Sequence, residues 1–307
     1  MKSPLFTVVM STYNRSVLLP RAINCVLKQT YPDFELLVID NGSTDNTPDV
    51  VMAIKDPRVI YVRNPNPTGS CDGPRNTGIG IARGEYTCFL DDDDIWYPER
   101  LEKVKRAFDE HSFVSAVCHN EYKNVDGNIE GILKYGPGGD DLFERLLYER
   151  NCMSSCATTV KTGVLRNLGG FDLRKEFAGA ADYDLWLRLA REGHSVFFID
   201  EPLGEYSITG ENFSIVDRAY GAKLARLVEM HMLDYEKKPL WNISGRGMWW
   251  LFQLNAIAGK SYILSGRVKD ASASILKALL FMARRPALML KLAAKLKRRD
   301  EESAGLR

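Results

Sequence analysis

The sequence predicts an α/β fold, a mostly parallel Rossmann-like sheet flanked by helices, with a helical C-terminal appendage. Three observations predict it. Over the first hundred residues short apolar runs alternate with helical patterns, the signature of a wound sheet. Three of those runs end directly on clustered polar residues. Past about residue 214 the strand signals stop and helical patterns alone remain.

Taken in order, residues 6–10 (PheThrValValMet) read as a buried strand ending at SerThrTyrAsnArg, and an amphipathic helix over about 17–28 follows. Residues 35–40 form a second strand ending on Asp40. The AsnGlySerThrAspAsnThr that follows is a turn and a helix N-cap, because Ser, Asp and Asn side chains accept from free backbone N–H groups. Residues 58–62 are a third strand. Pro74 opens a short helix to about Ala82, since proline is preorganised for the first helical position. Residues 86–90 are a fourth strand, which runs into Asp91, Asp92, Asp93 and Asp94. Residues 113–135 pair two strands around AsnValAspGlyAsn, with Asp-Gly as the turn signal. A helix over 181–193 precedes a strand at 195–199, and helices fill about 215–235, 245–265, 267–283 and 286–299. The boundary near 215 separates an expected domain at 1–215 from a basic helical region at 216–307.

With 307 residues, 45% hydrophobic and 26% charged, the chain supports a large core and is neither disordered nor fibrous. No apolar run reaches the roughly 18–20 residues that span a bilayer, and the first ten residues carry too short an apolar stretch for a secretory signal. The six cysteines lack C-x-x-C spacing, which argues against a zinc site and for buried free thiols in a reducing cytosol. The charges are unevenly spread. Residues 1–217 hold 23 basic and 33 acidic side chains, and residues 218–307 hold 18 basic and 7 acidic. That split suggests a catalytic body followed by a tail that seeks an anionic surface.

In an open α/β sheet, ligands bind beyond the carboxyl ends of the strands. Three strand ends here present Thr12, Tyr13 and Asn14, then Asp40, then Asp91 through Asp94. Four adjacent carboxylates at the exit of a buried strand repel one another. A hard divalent cation, Mn2+ or Mg2+, offsets that repulsion and would clamp a diphosphate. Arg75 and Asn76, at the start of the Pro74 helix, suit a phosphate, although a surface arginine is the plainer alternative. Asp40 could accept the imide N–H of uracil or thymine, or serve simply as a turn aspartate. At the start of the 181–193 helix, Asp184 and Arg188 are spaced to pair. That leaves Asp182, four residues before Trp186, as a candidate general base beside an aromatic wall on the acceptor side.

Taken together, ValValMetSerThrTyrAsnArg, ValIleAspAsnGlySerThrAspAsnThr, ProArgAsnThrGlyIle, PheLeuAspAspAspAspIleTrpTyrPro and AlaAspTyrAspLeuTrpLeuArgLeu resemble, over about residues 5–215, the inverting family 2 glycosyltransferases of the GT-A fold. The resemblance implies that Thr12, Tyr13, Asn14, Asp40, Arg75, Asn76, Asp91 and Asp92 hold a nucleotide sugar. Asp91 and Asp93 match the D-x-D pattern, with Asp93 and Asp94 as the metal residues. Asp182 matches the catalytic base. It would deprotonate an acceptor hydroxyl during a single displacement that inverts the anomeric centre. Two positions depart from the pattern: Ala181 stands where a second acid is common, and Thr209 where a histidine that can bind the metal is common. The Q-x-x-R-W motif and membrane spans of processive synthases are missing, so one sugar per encounter is expected. The implied setting is bacterial surface polysaccharide assembly, with a glycan or polyprenyl-diphosphate-linked sugar as acceptor, at the cytoplasmic face of the membrane.

Residues 284–299 carry seven cations and no acid, and Leu288, Leu292 and Leu296 repeat at i+4. Such a segment suits an anionic membrane interface, and no nucleic-acid module accompanies it. Two competing readings stand beside the transferase. One is a catalytically inactive nucleotide-sugar binder or membrane scaffold, which Ala181 and Thr209 keep open. The other is a haloacid-dehalogenase-like phosphotransferase, which needs its D-x-D near the first strand and not after the fourth.

Overall fold

A computed structural model describes residues 3–64, 66–137, 141–209, 217, 219–237, 245–264 and 266–284. The chain divides into two compact units, one of residues 1–146 and 150–216, the other of residues 147–149 and 217–307.

In the first unit the strands are β1 (Phe6–Thr12), β2 (Phe34–Asp40), β3 (Val59–Arg63), β4 (Tyr86–Asp91), β5 (Ile95–Trp96), β6 (Ala116–Val125), β7 (Asn128–Leu133), β8 (Thr158–Lys161) and β9 (Val196–Ile208). They join one sheet in the order β3-β2-β1-β4-β8-β6-β9-β5, with β7 paired to β6. The first four run parallel. Short β8 is inserted antiparallel between β4 and β6, and β6 and β9 are again parallel. The helices are α1 (Leu19–Leu27), α2 (Thr47–Met52), α3 (Asp72–Ile81), α4 (Arg100–Glu110), α5 (Leu142–Tyr148), α6 (Thr162–Asn167) and α7 (Ala181–Arg191).

Every residue of β1 and β2 is buried, as a sheet covered on both faces requires. On one face Phe6, Val8, Met10, Leu36, Val38 and Leu90 pack with Ile23 and Val26 of α1 and Leu101, Val104 and Phe108 of α4. Glu35 is the charged residue inside β2. It is tolerated because Thr7 Oγ1 (2.7 Å) and the Arg83 N–H (2.8 Å) and Nε (2.7 Å) all donate to it, satisfying a carboxylate that burial would otherwise penalise.

The expected strand pair at 113–135 is β6 and β7. Its turn holds Asp126 at φ 48° and Gly127 at φ 90°, left-handed values that Asp and Gly accept more readily than other residues. The α3 helix opens at Asp72, two residues before Pro74. The last strand runs on to Ile208 because it stays paired with β6 across two register shifts. Neither β8 nor α4 was expected. The four-residue β8 is too short to show a period, and the charged stretch 100–110 hides its apolar stripe.

The second unit contains α8 (Tyr220–Glu236), α9 (Gly245–Leu264) and α10 (Val268–Arg284), three helices where the periodicity predicts them. Its packing includes buried Leu227, Val228, Met232, Leu251 and Leu254. The expected helix over 286–299 lies outside the described residues. Among those described, no helix is long and apolar enough to cross a membrane. All six cysteines are free thiols, four of them buried.

Candidate active site

The parallel register sets the strand ends side by side. Thr12 is paired with Asp40 across β1 and β2, and Ser11 with Asp91 across β1 and β4. The loops leaving these ends therefore meet at one edge of the sheet, as the strand-end argument requires.

Beyond β1, Tyr13 is exposed (54%). Asn14 adopts φ 53°, and its side-chain Oδ1 accepts from Thr44 N–H at 2.8 Å while its own N–H donates to Ser43 Oγ at 2.9 Å. Asn14 thus locks the β1 loop onto the β2 loop. Asp40 is fully buried. Its Oδ1 accepts from the Ser43 N–H (2.7 Å) and Gly42 N–H (3.1 Å), and its Oδ2 accepts from the Tyr61 hydroxyl at 2.6 Å. Burial alone would lift its pKa, yet the Ser43 and Tyr61 hydrogen bonds and nearby Arg63 hold it below the usual carboxylate range. Oδ1 of Asp40 closes its own turn, and Oδ2 is held by Tyr61 of β3.

Arg75, on the first turns of α3, is not a surface arginine. It is 6% exposed, donates from Nη2 to Asp91 Oδ1 at 2.7 Å, lies 3.8 Å from Asp72, and stacks over the Phe171 ring at 5.3 Å. Its Nε is buried without a hydrogen-bond partner among the described residues. Burial disfavours the charge, but Asp91, Cys71 and Asp72 outweigh it, so the pKa is raised and the cation persists.

Asn76 is tied to the loop that carries Phe171. Its Nδ2 donates to the Phe171 carbonyl at 2.8 Å and its Oδ1 accepts from the Phe171 N–H at 2.8 Å. Both ends of the amide bond to a backbone 95 residues away, so the side chain anchors a loop. Gly170, at φ 71°, allows the approach, since a Cβ there would lie 2.3 Å from Asn76 Oδ1. Asn76→Ala strips both bonds and leaves the Phe171 N–H and C=O unpaired. The expected loss is about 2–3 kcal/mol, read as a lower urea midpoint at unchanged m-value. An unshifted midpoint would refute the anchoring role.

Trp186 is a correction to the sequence reading. It is fully buried, so it offers no wall to an acceptor. It belongs to the apolar stripe of α7 with Leu185 and Leu189, which the core claims. Asp184 and Arg188 pair as their spacing predicts, at 2.7 Å, and Arg188 also donates to the Leu168 and Gly170 carbonyls.

Asp182 remains half-buried at the N-terminus of α7. Burial pushes its pKa up to about 6. Arg75 and the Tyr183 N–H hold it down, while Asp72 and Asp91 push it higher. Arg75, Asp72 and Asp91 thus act on this carboxyl although sequence separates it widely from them. Asp72, on the first turn of α3, went unnoticed in the sequence because its loop reads as flexible punctuation.

The aspartate run is short of counter-charge. Asp92 is pushed up to about 7 by burial, and then by Asp93 and Asp91, against Thr12 and Arg15. Asp93 is pushed up to about 6 by burial and then by Asp91. Asp94, 2% exposed, is raised by burial, Asp93 and Glu121. Its Oδ1 accepts from the Ser207 N–H at 2.7 Å, and its Oδ2 is buried with no hydrogen-bond partner among the described residues. An orphaned buried carboxylate oxygen beside three other carboxyls fits a divalent cation, which removes both the repulsion and the missing bond. Thr209 follows β9, two residues beyond Ser207.

Strand ends bearing a bound turn aspartate, a buried arginine and a carboxylate run, at one edge of a mostly parallel sheet, fit a glycosyltransferase with the GT-A architecture. Residues 7–167 match the model of "Glycosyl transferase family 2", and the chain belongs to that family. It is 33% identical over 207 residues to the "Putative colanic acid biosynthesis glycosyl transferase WcaA" of Escherichia coli K12, covering 65% of this chain and 71% of that one. It is 32% identical over 194 residues to the Escherichia coli "UDP-Glc:alpha-D-GlcNAc-diphosphoundecaprenol beta-1,3-glucosyltransferase WfgD", covering 62% and 71%. Among solved structures, S. aureus TarS 1-349 in complex with UDP-GlcNAc shares the fold at a TM-score of 0.63 and 16% identity, over 88% of this chain and 90% of that one. The mannosyltransferase PcManGT of Pyrobaculum calidifontis, with GDP-Man and Mn2+, does so at 0.57 and 18%, over 96% and 80%.

Proposed function

We propose that the chain transfers one sugar from a UDP-sugar to an acceptor hydroxyl with inversion, during assembly of a surface polysaccharide on a polyprenyl-diphosphate carrier. The observation that supports this is the parallel register that sets the ends of β1, β2 and β4 side by side, with buried Arg75 bonded to Asp91 at 2.7 Å; the pull of Arg75 and the push of Asp72 and Asp91 on the Asp182 carboxyl favour counting it in the same site. Two relatives support the choice of acceptor and donor, since their names specify diphosphoundecaprenol-linked GlcNAc and UDP-Glc. In this reading residues 1–215 are catalytic and the basic region 216–307 holds the enzyme at the inner face of the membrane.

Exposed Tyr13 lies against the nucleotide base, and the Asp40 turn shapes the pocket for base and ribose. Asp91, bonded and oriented by Arg75, and Asp92 face the sugar nucleotide, while Asp93 and Asp94 would hold a divalent cation. That cation, when bound, neutralises charge on the departing diphosphate. Asp182 takes the proton of the acceptor hydroxyl as that oxygen attacks the anomeric carbon from the opposite face.

Thermal unfolding with UDP, dTDP, GDP and CDP, each with and without Mn2+ or Mg2+, tests the donor. Native-state binding at a hundredfold excess over Kd stabilises by about 2.7 kcal/mol. We expect UDP with metal to raise Tm, and Asp93→Ala to abolish the shift. The pH dependence has a defined sign. Asp92, Asp93 and Asp182 have raised pKa values in the fold, so the metal-free protein is favoured while they are protonated. It loses stability as pH rises from about 4 through about 7. The metal-dependent gain is therefore larger at pH 7.5 than at pH 5. No shift with any nucleotide at millimolar concentration would overturn the donor assignment.

A further inference from the structure

Segment 168–171 follows α6 and is bonded by side chains of both α3 and α7. From α7, Arg188 donates Nη1 to the Leu168 carbonyl at 2.6 Å and Nη2 to the Gly170 carbonyl at 2.7 Å, while its Nε holds Asp184 at 2.7 Å. From α3, the Asn76 amide bonds the N–H and the C=O of Phe171, and the Arg75 guanidinium lies over the Phe171 ring. That ring meets Phe89 of β4 edge-on at 5.1 Å. Gly169 and Gly170 both take left-handed φ values, 76° and 71°, a turn that glycine alone makes without strain. The end of α7 that bears Asp182 has little else to hold it towards α3. Ala180 precedes the helix and its side chain cannot cap it. Asp182 Oδ1 accepts from the Tyr183 N–H at 2.7 Å, a bond inside its own helix turn. The Tyr183 hydroxyl donates to the Leu146 carbonyl, which ties α7 to α5.

We propose that Arg188 is a positioning residue for the base: with Asn76 it clamps segment 168–171 between α7 and α3, and the clamp sets where Asp182 stands relative to Arg75 and Asp91. One planar guanidinium serves three acceptors here, which a single lysine ammonium cannot reproduce. Arg75 acts on the Asp182 carboxyl, so the spacing of the two helices bears on the base directly. A general base must come within hydrogen-bond reach of the hydroxyl it deprotonates, and a displacement of about 1 Å can cost about 10²-fold in rate. The inference rests on the reading of Asp182 as that base. The plainer alternative is that Arg188 only satisfies the carbonyls that follow α6.

The test is a mutant cycle of Arg188→Lys and Asp182→Asn in the full chain, read as UDP release from UDP-Glc with Mn2+ and a polyprenyl-diphosphate-linked GlcNAc. Lysine keeps a cation for Asp184 and gives up the carbonyl fork. We expect Arg188→Lys to lower kcat by about tenfold or more at unchanged KM for UDP-Glc. In Asp182→Asn the same substitution should change the residual rate by no more than about twofold, because the group it positions is already gone. Urea unfolding of each variant ensures that the rates are those of folded protein. A fall by the same factor in both backgrounds reveals a structural role alone and overturns the inference, as does a wild-type kcat in Arg188→Lys. Wild-type turnover in Asp182→Asn overturns the base reading and the inference with it, as does absence of UDP release from the wild type. Should Arg188→Lys fold poorly, Asn76→Ala, which releases the same segment from α3, takes its place in the cycle with the same expected outcome.

Discussion

Asp182→Asn is expected to lower sugar transfer by about 10²–10⁴-fold, the usual contribution of a positioned general base, while leaving the thermal shift with UDP and metal unchanged. Asparagine keeps the shape and cannot take a proton, so the loss falls on turnover and not on donor binding. The same carboxyl sets a pH limb. Burial, Asp72 and Asp91 raise its pKa and Arg75 and the Tyr183 N–H lower it, leaving it at about 6. A base works only when deprotonated, so the wild-type rate should fall as pH drops through about 6, and the residual rate of Asp182→Asn should lack that limb. Transfer by Asp182→Asn at the wild-type rate would remove this residue from the mechanism.

Arg75→Met is expected to damage stability and chemistry together. Methionine replaces the aliphatic volume but removes the cation that bonds Asp91 at 2.7 Å and lies 3.8 Å from Asp72. Breaking a buried pair from one side strands the partner charge, at a cost on the order of 3 kcal/mol. Because Asp91 is about a third exposed, water recovers part of that cost. Arg75 also lowers the pKa of Asp93 and Asp182, so its loss should move the acidic limb of the rate profile above pH 6. Chemical denaturation reads the first effect and the rate profile the second. A variant with wild-type stability and an unmoved limb would show that Arg75 does not govern the cluster.

Much of this was readable before the structure because it is local. Apolar runs of strand length, the Asp126–Gly127 turn and the Asp184–Arg188 pair depend on backbone periodicity and near neighbours, which the sequence states directly. The polar residues closing three strands pointed to the sheet edge that the register then assembled. The same local logic misled at Trp186, which shares the α7 stripe that the core buries, and it gave no sign that the Asn76 amide anchors the Phe171 loop.

The sequence by itself determined the strands, their polar ends and the residue types available to the site, since hydrogen-bonding period and side-chain chemistry are properties of neighbouring residues. The tertiary structure decided which of those residues share a field. The contact of Ser207 with Asp94 spans 113 residues, and the bond between Asn76 and Phe171 spans 95. Coulomb energy and desolvation depend on distance and burial, and no period in the sequence encodes either.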